Sequence, residues 1–146
     1  MPGGLGSPDA MGDEGVLAFL RDKASEARYV TSVCTGALVL GAAGLLRGYR
    51  AATHWSTLDI LLALGAEPVK ERVVVYCNRV TGGGVTAGID FGLVIVAELF
   101  GEETAKEVQL SIEYDPNPPF DSESPEAAGS DIVEKAFPTR TVEAAL

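Results

Sequence analysis

Basic residues are scarce in this chain of 146: 11 Lys and Arg stand against 21 Asp and Glu, a net charge of −10. Phosphate binding needs a basic face, so this balance argues against a nucleic-acid partner. Long hydrophobic runs are missing as well. No stretch reaches the ~20 apolar residues of a bilayer span. The opening MPGGLGSPDAMGDEG lacks the basic start and apolar centre of a signal peptide. These features lead us to expect a soluble, cytoplasmic protein with no membrane partner. Only two cysteines occur, Cys34 and Cys77, and they make neither a disulfide framework nor a metal-ligand pattern. Histidine is down to one residue, His54, followed by the single tryptophan, Trp55.

What is present suits one domain. Apolar residues make up 47% of the chain, enough to bury a core. Ser7-Pro8-Asp9 reads as a helix start with Ser7 capping and Pro8 in the first turn. Val16, Leu17, Leu20, Ala24 and Ala27 then recur at helical spacing. Tyr29 to Val33 is a short continuous strand of the kind found in parallel sheets covered on both faces. Gly36 to about Leu46 reads as a helix ended by Gly48, and Arg50 to Thr53 as a strand. A helix capped by Ser56 runs to Leu64 and closes at Gly65. Arg72 to Tyr76 and Arg79 to Thr81 bracket Cys77-Asn78, which reads as a hairpin or a short turn. Ala87 to Phe100 is a strongly apolar helix, and Glu102 to Ile112 an amphipathic one. The Pro-, Ser- and Asp-rich segment beyond Tyr114 reads as an extended arm, and the last fifteen or so residues are weakly patterned. Alternating strands and helices predict an α/β fold with a mainly parallel sheet.

The stretch TSVCTGALVLGAAGLL places Cys34 where the strand gives way to the helix. Strand, nucleophile, small residue, helix is the order of a nucleophile elbow. Such a turn holds the side chain at the C-terminal edge of the sheet, and the amides after it are free to hold an anion. Cysteine is equally at home as a small buried hydrophobe, and these local features leave both roles open. Gly3-Gly4 offers backbone N–H groups for an oxyanion hole if its loop reaches the elbow, or is simply a turn. The run TGGGVTAG lacks the Lys-Ser/Thr pair of a P-loop and reads as a close-packed loop beside the site. His54 is a base for Cys34 or a structural hydrogen-bonding residue. Asp90, in the first turn of an apolar helix, complements the helix dipole.

Taken together, PGG, the helix after it, YVTSVCTGALVLGAAGLLRGYRAATHW and TGGGVTAGIDFGL resemble the DJ-1/PfpI superfamily and, within it, the isocyanide hydratase (isonitrile hydratase) branch. Thr-Gly after the cysteine, in place of His-Gly, separates it from the protease and glyoxalase branches. The segment VQLSIEYDPNPPFDSESP is similar to that branch too. The resemblance runs from Pro2 to about Glu126. It is shared with a domain of AraC-type transcription regulators, which carry a helix-turn-helix region after that domain.

The resemblance implies a flavodoxin-like three-layer α/β/α sandwich of the class I glutamine amidotransferase-like type, a homodimer, no metal and no organic cofactor. It implies that Cys34 attacks the terminal carbon of an isocyanide substrate. A thioimidate forms, water adds and an N-substituted formamide leaves, with a proton reaching the nitrogen as the C–S bond forms. Thr35 would orient substrate or the amide network, Gly3 and Gly4 would line the pocket, and Ile89 would pack beside the cysteine. It also implies an acidic residue upstream of the PGG loop as general acid or base. That residue and the first strands are absent from this sequence, so the expectation is an N-terminally truncated domain over residues 1–126 with a C-terminal tail over 127–146. The alternative class is a non-catalytic module, either a redox sensor with Cys34 oxidised to a sulfinate or the sensory domain of a regulator.

Overall fold

Helix and strand follow one another from the first turn onward in the computed structural model, which describes residues 1–138. The described residues fall into two compact units, Met1–Tyr114 and a second that begins at Asp115. In the first, α1 (Ser7–Gly12) and α2 (Glu14–Glu26) lead into β1 (Val30–Val33), α3 (Gly36–Ala42) and β2 (Arg50–Ala51). A 3-10 turn over Trp55–Thr57 precedes α4 (Leu58–Ala63), β3 (Glu67–Pro68), β4 (Val73–Tyr76) and β5 (Arg79–Gly82). The unit closes with α5 (Ala87–Phe100) and α6 (Glu102–Ser111).

The main sheet has the order β1-β5-β4, with β1 parallel to β5 and β4 antiparallel to it. A second, two-stranded sheet pairs β2 with β3 in parallel. Side chains alternate across β1. Val30 joins the cluster of Leu38, Leu40, Leu46 and Leu61 from α3, its following turn and α4. Val33 faces the other way: methyl groups added at Gly82 and Gly88 would meet its Cγ atoms at 3.5 and 3.9 Å. The sheet is therefore covered by α3 on one face and α5 on the other, the three-layer α/β/α arrangement of a flavodoxin-like fold.

The helix α3 is the centre of the core, with Ala37, Val39 and Leu40 at 0–1% exposure. Full burial of a side chain such as Leu40 is worth about 1.5–3 kcal/mol. It ends earlier than the apolar run suggests. Gly44, at φ +78°, lets the Leu45 N–H reach the Leu40 carbonyl at 2.9 Å and its own N–H reach Gly41 at 2.8 Å. This is a Schellman closure, so Gly44 and not Gly48 stops the helix. Gly65, at φ +89°, closes α4 in the same way, with Ala66 N–H on the Leu61 carbonyl at 3.3 Å.

Two capping expectations are corrected. Ser7 caps nothing: α1 is preceded by Gly6 with no side-chain cap, and Ser7 lies 5% exposed with its hydroxyl turned to other work. The helix read as continuous from Ser7 breaks at Asp13, whose carboxylate accepts from Gly15 N–H at 2.8 Å and Val16 N–H at 3.2 Å and so opens α2. Likewise Ser56 does not cap α4; His54 precedes the 3-10 turn and accepts the Ser56 N–H through Nδ1. In the second unit, α7 (Pro125–Ala128) and α8 (Ser130–Ala136) occupy sequence expected to be extended or unpatterned. Ser124 caps α7, its Oγ accepting the Ala127 N–H at 3.1 Å. The end of the expected tail, residues 139–146, lies outside the described residues. Among the described residues, no helix is long and apolar enough to cross a membrane.

Candidate active site

Cys34 stands at the corner between β1 and α3 with φ +57°, the left-handed region that non-glycine residues rarely adopt. Such strain persists only where neighbours over-determine it, and here both main-chain groups are held. The Cys34 N–H is shared between the carbonyls of Gly82 at 3.0 Å and Gly83 at 2.7 Å. Its carbonyl accepts from Thr53 Oγ1 at 3.0 Å and from Ala37 N–H at 3.3 Å. Thr53 is itself buried, 4% exposed, and its hydroxyl also meets that of Thr57 at 3.1 Å. The thiol is free and partly exposed.

The N-terminal loop lies directly over this corner. Met1 N donates to the Thr31 carbonyl at 2.7 Å and the Met1 carbonyl accepts Val33 N–H at 3.2 Å, so the first residue runs alongside β1. Burial lowers the pKa of the Met1 amino group. A methyl group added at Gly36 would sit 2.3 Å from the Met1 carbonyl oxygen and 2.7 Å from that of Pro2. One added at Gly3 would sit 2.7 Å from Thr35 N and 3.0 Å from Cys34 Cβ. Glycine at 3 and 36 is thus what allows loop and elbow to touch.

The amides of Gly3, Thr35 and Gly36 have no hydrogen-bond partner among the described residues. They cluster around Cys34 and can stabilise negative charge on the thiolate or on an atom bonded to it. Gly4 differs from the expectation, because its N–H is already given to Thr35 Oγ1 at 3.0 Å. Thr35 is a hub: its hydroxyl also meets Ser7 Oγ at 2.8 Å and the Gly4 carbonyl at 3.3 Å.

The structure therefore brings Gly3, Gly4 and Thr35 together at Cys34. His54 lies in the next shell, its ring against Gly84, where an added methyl would meet Cδ2 at 3.7 Å. Its Nδ1 contacts Ser56 Oγ at 2.8 Å and accepts Ser56 N–H at 3.3 Å, and its ring tilts against Trp55 at 5.5 Å between centroids. Burial lowers its pKa, which favours the neutral ring this acceptor role needs. Ile89 occupies the first turn of α5, 45% exposed, beside Gly88 rather than in the hydrogen-bonded cluster. Cys77 is exposed at the β4–β5 turn, φ +53°.

Two groups of residues escaped sequence reasoning. Thr53 and Ser7 act through side-chain bonds to residues 19 and 28 positions away, and no local pattern signals such pairs. Asp90 does more than complement a dipole. It forms an ion pair with Arg72 Nε and accepts from Tyr114 OH at 3.0 Å, while Arg72 also reaches Thr86 Oγ1 at 3.2 Å. Burial works to lower the Arg72 pKa, but hydrogen bonding to Asp90 and Tyr114 and their charge raise it overall. Because the Arg72 carbonyl accepts Gly83 N–H at 2.9 Å, this clasp braces the glycine loop that holds Cys34 N–H.

Comparison with known proteins matches residues 1–98 to the DJ-1/PfpI family. The chain is 60% identical over 136 residues to an isonitrile hydratase from Pseudomonas putida, covering 93% of this chain and 60% of that protein. It is 31% identical over 115 residues to the HTH-type transcriptional regulator GbdR of Pseudomonas aeruginosa, covering 77% of this chain and 31% of the regulator. A crystal structure of a ThiJ/PfpI family protein from Pseudomonas syringae superposes with a TM-score of 0.85 at 51% identity, over 92% of this chain and 55% of that one. The chain spans about 60% of the length of the hydratase it matches. On the strength of the family match and the 60% identity, this chain belongs to the DJ-1/PfpI family.

Proposed function

We propose that this chain carries the nucleophile and anion-holding part of an isocyanide hydratase acting on a small-molecule isocyanide. The observation that carries the reading is the strained Cys34 elbow, with three unpaired amides about it, in a chain 60% identical to an isonitrile hydratase. The Cys34 thiolate adds to the isocyanide carbon and a proton is taken up, giving a thioimidate, R–N=CH–S–Cys. Atom balance moves one expectation here: the formyl C–H of the product requires this first proton on carbon, and the nitrogen receives its proton in the second step. Water then adds to the same carbon, the C–S bond breaks, and R–NH–CHO leaves with the thiol restored.

The amides of Gly3, Thr35 and Gly36 suit the negative charge on sulfur. Thr53 and the Gly82-Gly83 carbonyls keep the elbow strained and its side chain presented. His54 serves as the structural residue of the neighbouring turn, since its Nδ1 is spent on Ser56. The family's general acid belongs to sequence preceding the PGG loop, and the chain spans about 60% of the hydratase relative. A positioned acid contributes about 10²–10⁴-fold, so residues 1–146 assayed by themselves should turn over less than a protein that also carries that acid.

The test is formamide production from an aryl isocyanide. We expect little from this chain, none from Cys34→Ala, and recovery when the preceding part of the hydratase relative is fused upstream. Equal turnover by the chain with and without that extension would refute the role of the upstream acid. Turnover surviving Cys34→Ala would refute the nucleophile. The 31% identity to GbdR over 77% of this chain favours, as the second reading, a sensory module that binds a small molecule without turning it over.

A further inference from the structure

Ser7 has no part in the reading above, yet it is 95% withdrawn from solvent beside the elbow (5% exposed) and its hydroxyl points at the Thr35 hub. Thr35 Oγ1 accepts the Gly4 N–H at 3.0 Å and lies 3.3 Å from the Gly4 carbonyl, to which it donates. At 2.8 Å the Ser7 and Thr35 hydroxyls share a hydrogen bond in which either can donate. The Ser7 N–H closes the ring by donating to the same Gly4 carbonyl at 3.1 Å. Thr35 Oγ1 is thereby bonded to the Gly4 loop and to Ser7 at once.

We propose that Ser7 is a positioning residue: through Thr35 it latches the Gly3-Gly4 loop onto Cys34. A Thr35 hydroxyl so engaged serves the loop. Gly3 is held where a single added methyl would meet Cys34 Cβ at 3.0 Å, so the latch sets both the cover over the thiol and the place of the Gly3 amide. Releasing it uncovers the sulfur. The inference rests on the reading of Cys34 as the reactive residue of an elbow, but not on which substrate it attacks.

The test is carboxamidomethylation of the intact chain by iodoacetamide at pH 7. The rate at Cys34 is read against that at Cys77, the exposed internal reference, by peptide mass spectrometry. Losing one buried hydrogen bond in Ser7→Ala should speed Cys34 roughly three- to tenfold relative to Cys77. Thr35→Val, which also removes both bonds to Gly4, should speed it at least as much, and the double variant no more than Thr35→Val alone, because Ser7 acts only through Thr35. Ser7→Thr, which keeps the hydroxyl, should label as the wild type does. A general loosening of the fold would not be cured by Ser7→Thr, nor stop adding once Thr35 is gone. Unchanged labelling in Ser7→Ala, or multiplying effects in the double variant, overturns the latch. Should Ser7→Ala not fold, Thr35→Val and Thr35→Ser decide alone, with acceleration expected only in the first. Labelling proceeds whether or not an isocyanide is hydrated, so a Ser7-dependent Cys34 in a chain whose upstream-extended form makes no formamide refutes the hydratase reading and leaves this one standing.

Discussion

Accessibility and reactivity point in opposite directions at the two cysteines, which makes them a test of the elbow. Cys77 is the more exposed, at the tip of a hairpin, and Cys34 is partly covered by the Gly3 loop. If exposure alone governed, Cys77 would react first. We expect Cys34 to be alkylated faster at pH 6, because the left-handed elbow presents its sulfur beside three unpaired amides; equal rates at both sites would remove the case for an activated elbow. A second residue-scale prediction concerns His54. Burial lowers its folded pKa below the ordinary 6.5. The unfolded chain then binds a proton that the folded chain resists, so stability is fully present above pH 6.5 and falls as pH drops toward the folded value. Urea unfolding between pH 7.5 and 5 should show this loss. His54→Asn retains an acceptor for Ser56 N–H without the titration and should flatten that part of the profile.

At the level of elements, the sequence was most readable where one signal dominated. The apolar run from Ala87 to Phe100 is α5 to the residue, because Gly101 at φ +96° ends it and nothing inside competes. The β4–β5 hairpin was legible from its β-branched arms, and the elbow from the strand-to-helix order around Cys34. Misreadings came where two signals overlapped. Asp13 and Ser7 both look like caps, and tertiary bonding to Thr35 claimed Ser7, leaving Asp13 to start α2. In GLLRG either glycine could end α3, and the earlier one, Gly44, did so because it allows the Leu40–Leu45 closure. The Arg72–Asp90–Tyr114 clasp spans 42 residues and left no trace in any local window. Its ion pair is half exposed, so Asp90→Asn should cost no more than about 1 kcal/mol of global stability. The same variant should speed amide exchange in residues 82–86, since the loop loses its brace. A global loss well above that, or unchanged exchange in the loop, would show the clasp to be something else.

The whole molecule presents an unusual apolar helix. Of the residues of α5 only Ala87 is fully buried, and Leu93 to Ala97 all keep intermediate exposure despite their apolar character. Phe100 at 70%, Leu110 at 82% and Ile112 at 54% exposure extend this surface over α5 and α6. Exposed apolar surface on this scale marks an interaction site in soluble proteins, and we propose that it is where two copies meet. Sedimentation velocity at micromolar concentration should give a dimer, and Phe100→Asp should shift it toward monomer. A single monomer species with cooperative melting would count against this face as an interface.

The shared hydrogen bond from Cys34 to Gly82 and Gly83 also dictates when the site can exist during synthesis. Translation makes the cysteine almost fifty positions before the carbonyls that hold it in its left-handed turn, and Thr53, which holds its other side, arrives in between. A nascent chain halted between Cys34 and Gly83 therefore carries the thiol but no elbow. The left-handed turn at Cys34 is therefore fixed only as β5 docks beside β1, and the shape of this corner waits on completion of the sheet.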